Sequence, residues 1–252
     1  MIIEAALHCN TGRIRSNNED NFYFNGLYLE KDNNGLTEPK FTKIDSFNNP
    51  LFCVFDGMGG EEAGEVASYI AAKTTAAYIS DASYGLNPSY DAMEKWCFHL
   101  NNTVFEESKS IAWGRMGTTM VSLYFSNKTV TVANIGDSPA FRIRGNEMVQ
   151  LSKDHVEILP PSMKKHKPRL TQNIGVDPTE LMIEPFAEKH TFLKNDIFLL
   201  CSDGLTDMVE KERIVHIIKN HASLKQAVSA LVNEALKNGG RDNITVTLIR
   251  AK

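Results

Sequence analysis

Three apolar segments of this chain each run into an aspartate followed by a small residue. Residues 51–55 lead into Asp56-Gly57, residues 130–136 into Asp137-Ser138, and residues 197–202 into Asp203-Gly204. Asp242 stands just before the apolar run 244–249, and Glu19 and Asp20 stand just before Phe22-Tyr23-Phe24. If the last two segments run antiparallel to the first three, these carboxylates meet at one edge of a sheet system. Two carboxylates about 4 Å apart repel by roughly 1 kcal/mol in water and about 4 kcal/mol at an effective dielectric near 20. A cluster of them therefore needs a cation, and hard oxygen ligands suit magnesium or manganese.

Each motif taken alone has a plainer reading. In Asp56-Gly57-Met58-Gly59-Gly60 the glycines permit a turn closed to other residues and let backbone approach a ligand, so that the Gly57 carbonyl can itself coordinate a metal. The same residues could be a strand-ending turn whose aspartate caps the next helix. Asp203-Gly204, Gly136-Asp137-Ser138 and Gly240-Arg241-Asp242-Asn243 each read equally well as turns. Their shared placement at strand ends is what argues for a common site. Residues 13–20 carry Arg13 and Arg15 beside Glu19 and Asp20. An arginine there could clamp phosphate in a bidentate fork, or it could form a surface salt bridge. His155 could face the site or lie on the polar surface. The basic run 164–169 (KKHKPR) reads as a solvated loop face or as a docking patch for an acidic or phosphorylated partner. There is no nucleophile elbow, no cysteine placed with a base and no phosphate-binding P-loop.

The elements that must position these groups follow from periodicity. Strands are expected at 2–8, 22–29, 51–55, 118–125, 128–135, 139–144, 147–150, 186–192, 197–201 and 243–250. Residues 30–50 are polar and turn-rich, an inserted hairpin or loop; their faint likeness to a calcium loop lacks the closing glutamate and flanking helices. Helices are expected at 61–79, 89–110, 210–220 and 223–237, the last stopped by Asn238-Gly239-Gly240. Helix pairs interrupting hairpin-linked strands argue for antiparallel sheets with helices packed outside. With 252 residues, 42% hydrophobic and 23% charged, the chain fits one soluble α+β domain spanning 1–252, with an irregular segment at 152–178. A net charge of −4 gives no reason to expect nucleic-acid binding. No stretch is long and apolar enough to span a bilayer, and the N-terminus has no signal-peptide pattern. Four cysteines without metal or redox spacing fit a reducing cytoplasm.

Taken together, RSNNED (15–20), FDGMGG (55–60), GTT (117–119), NIGDS (134–138), LSKDH (151–155), SDGLTD (202–207) and GGRDNIT (239–245) resemble, in order, the metal-dependent protein phosphatases of the PP2C (PPM) family, in its bacterial form. The resemblance implies an α-β-β-α sandwich of two antiparallel sheets flanked by helices. It implies hydrolysis of phosphoserine and phosphothreonine in proteins phosphorylated by a serine/threonine kinase, by a water activated by two Mg²⁺ or Mn²⁺ ions and without a phosphoenzyme. Carried over by position, Asp56 bridges both ions and Gly57 gives its carbonyl to one. Asp203 and Asp242 hold the other, Glu19 and Asp20 act through waters, and Arg15 holds phosphate. A third, weaker ion would sit on Asp137 and Asp203. The chain departs from the pattern at Met58, where histidine often stands, at Pro139 and in a short flap at 152–178. Two other readings remain: a catalytically silent phosphoprotein-binding module of the same fold, and a phosphatase of small phosphomonoesters. A cytoplasmic monomer is expected, without membrane or nucleic-acid partners.

Overall fold

The computed structural model describes residues 1–58, 63–110, 116–160 and 166–252. In chain order the strands are β1 (Ile2–Asn10), β2 (Asp20–Phe24), β3 (Lys40–Asp45), β4 (Leu51–Met58), β5 (Gly117–Thr118), β6 (Met120–Ser126), β7 (Thr129–Ile135), β8 (Ala140–Arg144), β9 (Glu147–Gln150), β10 (Phe186–Thr191), β11 (Ile197–Cys201) and β12 (Ile244–Ala251). The helices are α1 (Gly64–Ser80), α2 (Tyr90–Ser108), α3 (Asp203–Thr206), α4 (Lys211–Asn220) and α5 (Leu224–Lys237). One sheet has the order β3-β1-β12-β11-β8-β9 and the other β10-β7-β6-β4-β2, with β5 paired to the end of β4. Every pairing is antiparallel.

The alternation of side chains along the central strands builds three apolar layers. Phe52 and Val54 of β4 meet Phe198 and Leu200 of β11 and Ile249 of β12 between the sheets. The opposite faces of the same strands are apolar too. Cys53 and Phe55 pack under α1 and α2 with Ala71, Trp96 and Leu100. Leu199, Val246 and Leu248 pack under α4 and α5 with Ile214, Ile218 and Leu231. A strand buried on both faces reads as a continuous apolar run, as 51–55, 197–201 and 244–249 do. The result is the expected α-β-β-α sandwich.

Two expectations change. The strand expected at 22–29 ends at Phe24, because Asn25 and Gly26 adopt positive φ (47° and 99°) and return the chain so that Leu27 and Phe24 exchange backbone hydrogen bonds. The polar segment 30–50 is partly strand: β3 covers an edge of the first sheet beside β1. It alternates exposed and half-buried positions, so it lacks the apolar run that marks a central strand. The turn before it is closed by Asn33, whose Oδ1 accepts from Gly35 N at 2.9 Å and Asn18 Nδ2 at 2.7 Å. Gly59, Gly60 and the expected helix start at 61 and 62 lie outside the described residues, as do 161–165 of the irregular segment.

Phe125 is fully buried, its ring set edge-on to those of Phe52, Phe192 and Phe198 at centroid distances of 6.2, 5.5 and 5.3 Å. Phe125→Ala should cost about 3–5 kcal/mol of unfolding free energy. Phe47→Ala, at a ring 66% exposed, should cost less than about 0.5 kcal/mol. Denaturant titration checks both, and equal costs would contradict the placement of the inter-sheet core.

Candidate active site

Antiparallel pairing decides where the acids lie. β2 enters beside the point where β4 leaves, so that Asp20 and Asp56 are directly opposed. β11 leaves where β12 enters, which sets Asp203 beside Asp242 and Asn243 at the same end of the other sheet. The two pairs are joined across the sandwich. Ser202 Oγ and Thr245 Oγ1 both donate to Asp20 Oδ2 at 2.7 Å, tying β11 and β12 of one sheet to β2 of the other. Asn243 holds the loop carrying the arginines: its Oδ1 accepts from Glu19 N at 2.8 Å, and its Nδ2 donates to Thr11 O at 2.8 Å and Asn17 O at 2.9 Å. Asp137 arrives from the end of β7 through a turn at Gly136. Thr119 fixes that turn to β4, with its Oγ1 2.7 Å from Ser138 Oγ and accepting from Asp56 N at 3.2 Å.

Two glycines are required by close approach. A Cβ on Gly57 would lie 2.2 Å from the Gly64 carbonyl oxygen and 2.4 Å from that of Glu19. One on Gly204 would lie 2.0 Å from the Asn243 carbonyl oxygen. The small residue after each aspartate therefore lets β4 meet α1, and α3 meet the approach to β12, while the carboxylate stays at the seam.

The acids line one cleft of about 320 Å³ with Arg15, Gly57, Met58, Thr119 and Lys167. Its acidic members are Glu19, Asp56, Asp137, Asp203 and Asp242. Burial first, and then the charges of Asp203, Asp20, Asp242 and Asp137, push the Asp56 carboxyl well above its ordinary range. Burial pushes Asp20 up to about 7, against the pull of its two hydroxyl hydrogen bonds and with the help of Asp203 and Asp242. Burial and the charge of Asp203 raise Asp137 to about 6, with Lys167 opposing. Burial also raises Asp203, again against Lys167, and it raises Glu19, against Arg15.

Among the described residues, no three acidic, histidine or cysteine side chains already converge as a finished ligand set. Two of the acids are held by protein cations: Asp242 accepts from Arg15 Nη2 at 2.8 Å, and Asp203 pairs with Lys167 Nζ. The donor set nevertheless fits a hard divalent cation. Asp20 Oδ1 is buried without a hydrogen-bond partner, and Asp56 has no side-chain partner among the described residues although four acids crowd it. Uncompensated carboxylate oxygens of this kind are costly unless a cation satisfies them.

The structure brings Arg15, Glu19, Asp56, Gly57, Asp137, Asp203 and Asp242 to one cleft, with Asp20 buried immediately behind it. Arg15 does form the salt bridge that was its plainer reading, yet it remains 43% exposed with other N–H groups free of Asp242. His155 is turned away from catalysis: its Nδ1 accepts from Gly136 N at 3.1 Å, and it does not line the cleft. In the basic run, Lys167 is half-exposed at the cleft and pairs with Asp203 and Asp207. Sequence reasoning passed over Asn243, Thr119, Ser202, Thr245 and Lys167. The first four fall inside or beside the motifs, at positions where a polar residue interrupts or borders an apolar run.

The sandwich with a carboxylate seam and an adjoining arginine is the arrangement of a cation-dependent hydrolase of phosphate esters. A family model described as Protein phosphatase 2C matches residues 40–239. The serine/threonine phosphatase stp of Listeria welshimeri is 32% identical, over 98% of this chain and 95% of its own. Among solved structures, the serine/threonine phosphatase of S. agalactiae aligns with a TM-score of 0.79 and 25% identity over 99% of this chain and 100% of its own. The Ser-Thr phosphatase MsPP from Mycobacterium smegmatis, in complex with cacodylate, aligns with a TM-score of 0.75 and 28% identity over 98% of each chain. The chain belongs to the protein phosphatase 2C family, the metal-dependent serine/threonine protein phosphatases, and its likeness is to their bacterial members.

The raised carboxyls make a pH prediction. Asp20 and Asp137 hold protons in the folded chain up to about pH 7 and 6, whereas unfolded aspartate titrates near pH 4. Between those limits the folded state binds more protons than the unfolded one, so this cluster's contribution to stability falls as pH rises from about 4 to 7. A divalent cation competes with those protons. The gain in melting temperature on adding Mn²⁺ should therefore grow from pH 5.5 to 7.5, and an equal gain at both would contradict the buried, protonated cluster.

Proposed function

We propose that the cleft hydrolyses phosphoserine and phosphothreonine in phosphorylated proteins with two divalent cations, Mg²⁺ or Mn²⁺, and that Asp56, Gly57, Asp203 and Asp242 hold them. Glu19 and Asp20 complete the set through waters, and Asp137 with Asp203 offers a third, weaker position. The observation that carries this reading is the meeting of carboxylates from both sheets in one cleft beside Arg15, with Asp20 behind it leaving Oδ1 unpartnered. Cacodylate, found with the M. smegmatis relative, is a tetrahedral oxyanion, which fits a site for a phosphate ester. The intact acids argue against a silent binding module. The chain is read as one domain acting as a cytoplasmic monomer on the products of a serine/threonine kinase. No helix among the described residues is long and apolar enough to cross a membrane.

Held by those acids, divalent ions would supply Lewis acidity to water and to the phosphoryl oxygens. The chain supplies the rest. Arg15 offers planar N–H donors to the phosphoryl oxygens while Asp242 fixes one end of its guanidinium. Thr119 and the Glu19 carbonyl fix the backbone of Asp56 and Gly57, through Thr119 N to Asp56 O at 2.8 Å and Gly57 N to Glu19 O at 3.1 Å. Met58 borders the cleft and has no proton to give, and His155 does not line it, so the leaving alkoxide takes its proton from water. No side-chain nucleophile is required.

The direct test is hydrolysis of a phosphothreonine peptide with Mn²⁺, with and without a chelator, set beside a sugar phosphate. Asp56→Asn, Asp203→Asn and Asp242→Asn should each lower kcat by at least about 10²-fold. Their metal-free stability should hold or rise, because each replaces a desolvated, crowded carboxyl by a neutral amide. Near-normal turnover in any of the three at modest Mn²⁺ would sink the ligand assignment.

Arg15→Ala should raise KM for phosphopeptide about tenfold, in keeping with loss of a charged hydrogen bond, and change Mn²⁺ affinity less. Lysine should restore it only in part, for want of the planar fork. Unchanged KM and kcat in the alanine variant would leave only the salt bridge to Asp242.

A further inference from the structure

The unexpected residue at the site is Lys167. It comes from the irregular segment between β9 and β10, far in sequence from the acids it meets. The chain there is pinned just beyond the lysine, where Glu157 N donates to Arg169 O and Thr171 N to His155 O, both at 2.9 Å. From that anchor Lys167 Nζ reaches Asp203 Oδ2 and also Asp207 Oδ2, the latter at 2.8 Å. Asp203 opens α3 and Asp207 caps its end, so the two carboxylates sit four residues apart on one face of a single turn. Lys167 stands where two hollows meet. One is the catalytic cleft; the other is a groove of about 440 Å³ that shares Asp137 and Asp203 with it and continues past Asp154, Asp207 and Glu210.

We propose that Lys167 is a tethered cation that competes with divalent metal for Asp203, so that metal loading on the Asp203 side of the cleft displaces its ammonium group. The chemistry favours exchange over a fixed structural bridge. A lysine is a compact charge on a flexible stem, and this one is 52% exposed, so it can leave without uncovering an unpaired buried charge. Asp203 itself is only 18% exposed and keeps the same need for a cation whichever one serves it. The lysine therefore steadies the acidic face of α3 in the metal-free chain and raises the metal concentration at which the site fills. This inference rests on the reading of Asp203 as a metal ligand.

Two measurements test it without relying on turnover. In the first, calorimetric titration of Mn²⁺ into metal-free protein compares the wild type with Lys167→Met, of similar length and no charge, and Lys167→Arg, which keeps the charge. The methionine variant should bind its ions about three- to fivefold more tightly at the affected position, a modest factor because a half-exposed ion pair is screened. The arginine variant should stay near the wild type. In the second, an amine-reactive ester labels the wild type with and without Mn²⁺, and mass spectrometry follows Lys167. Its labelling rate should rise about threefold or more with Mn²⁺. An unchanged methionine isotherm, or a Lys167 labelling rate that Mn²⁺ leaves level or lowers, would overturn the proposal while leaving the phosphatase reading intact. A wild type that binds no Mn²⁺ would overturn both.

Discussion

Like charge crowded at a seam is the condition the rest of this molecule answers to. Antiparallel pairing within each sheet brings two acids to one end: Asp20 with Asp56, and Asp203 with Asp242. Packing the sheets face to face then makes the two pairs one group. Such a group lowers the stability of the fold that assembles it. Three apolar layers built on strands buried on both faces oppose that loss. Locally, two hydroxyls serve Asp20, and Arg15 and Lys167 serve Asp242 and Asp203. The crowding that costs the fold stability is what a divalent cation would relieve, so local instability and fitness for metal share one cause.

The scaffold's precision comes from small residues and side-chain amides. Gly57 and Gly204 let backbone pass backbone where any side chain would collide. Asn243 uses both ends of its amide to hold the loop from Thr11 to Glu19 against β12, which is how an arginine near the N-terminus is set over acids that arrive from the rest of the chain. Thr119 does the same for β4 and the turn after β7.

Much of this was legible before any coordinates. Apolar runs ending in aspartate gave the central strands and the acids, because burial on both faces leaves an unbroken apolar stretch. The four long helices lie within a few residues of the expected bounds, and the one-turn α3 was not expected. β3 lies in a segment that reads as a hairpin or a loop, because an edge strand with exposed positions carries no apolar run. The aromatic run past Asn25-Gly26 predicts a longer β2, and only the backbone there shows the reversal. The hydroxyls of Ser202 and Thr245 could not be told from ordinary strand residues, since their meaning lies in reaching across to the other sheet. Lys167 was the least legible. Its charge sits in a basic run that fits a solvated surface, and nothing in its spacing points to Asp203.

Clustered carboxylates that hold divalent cations would let water attack phosphorus directly. The most direct measurement is a single-turnover hydrolysis of a ³²P-labelled phosphothreonine peptide in ¹⁸O water, with Mn²⁺ or with chelator. Phosphate should be released only with Mn²⁺, with one solvent oxygen in each phosphate and no ³²P retained on the protein. Release that persists under chelation, or label trapped on the protein when the reaction is quenched, would contradict it.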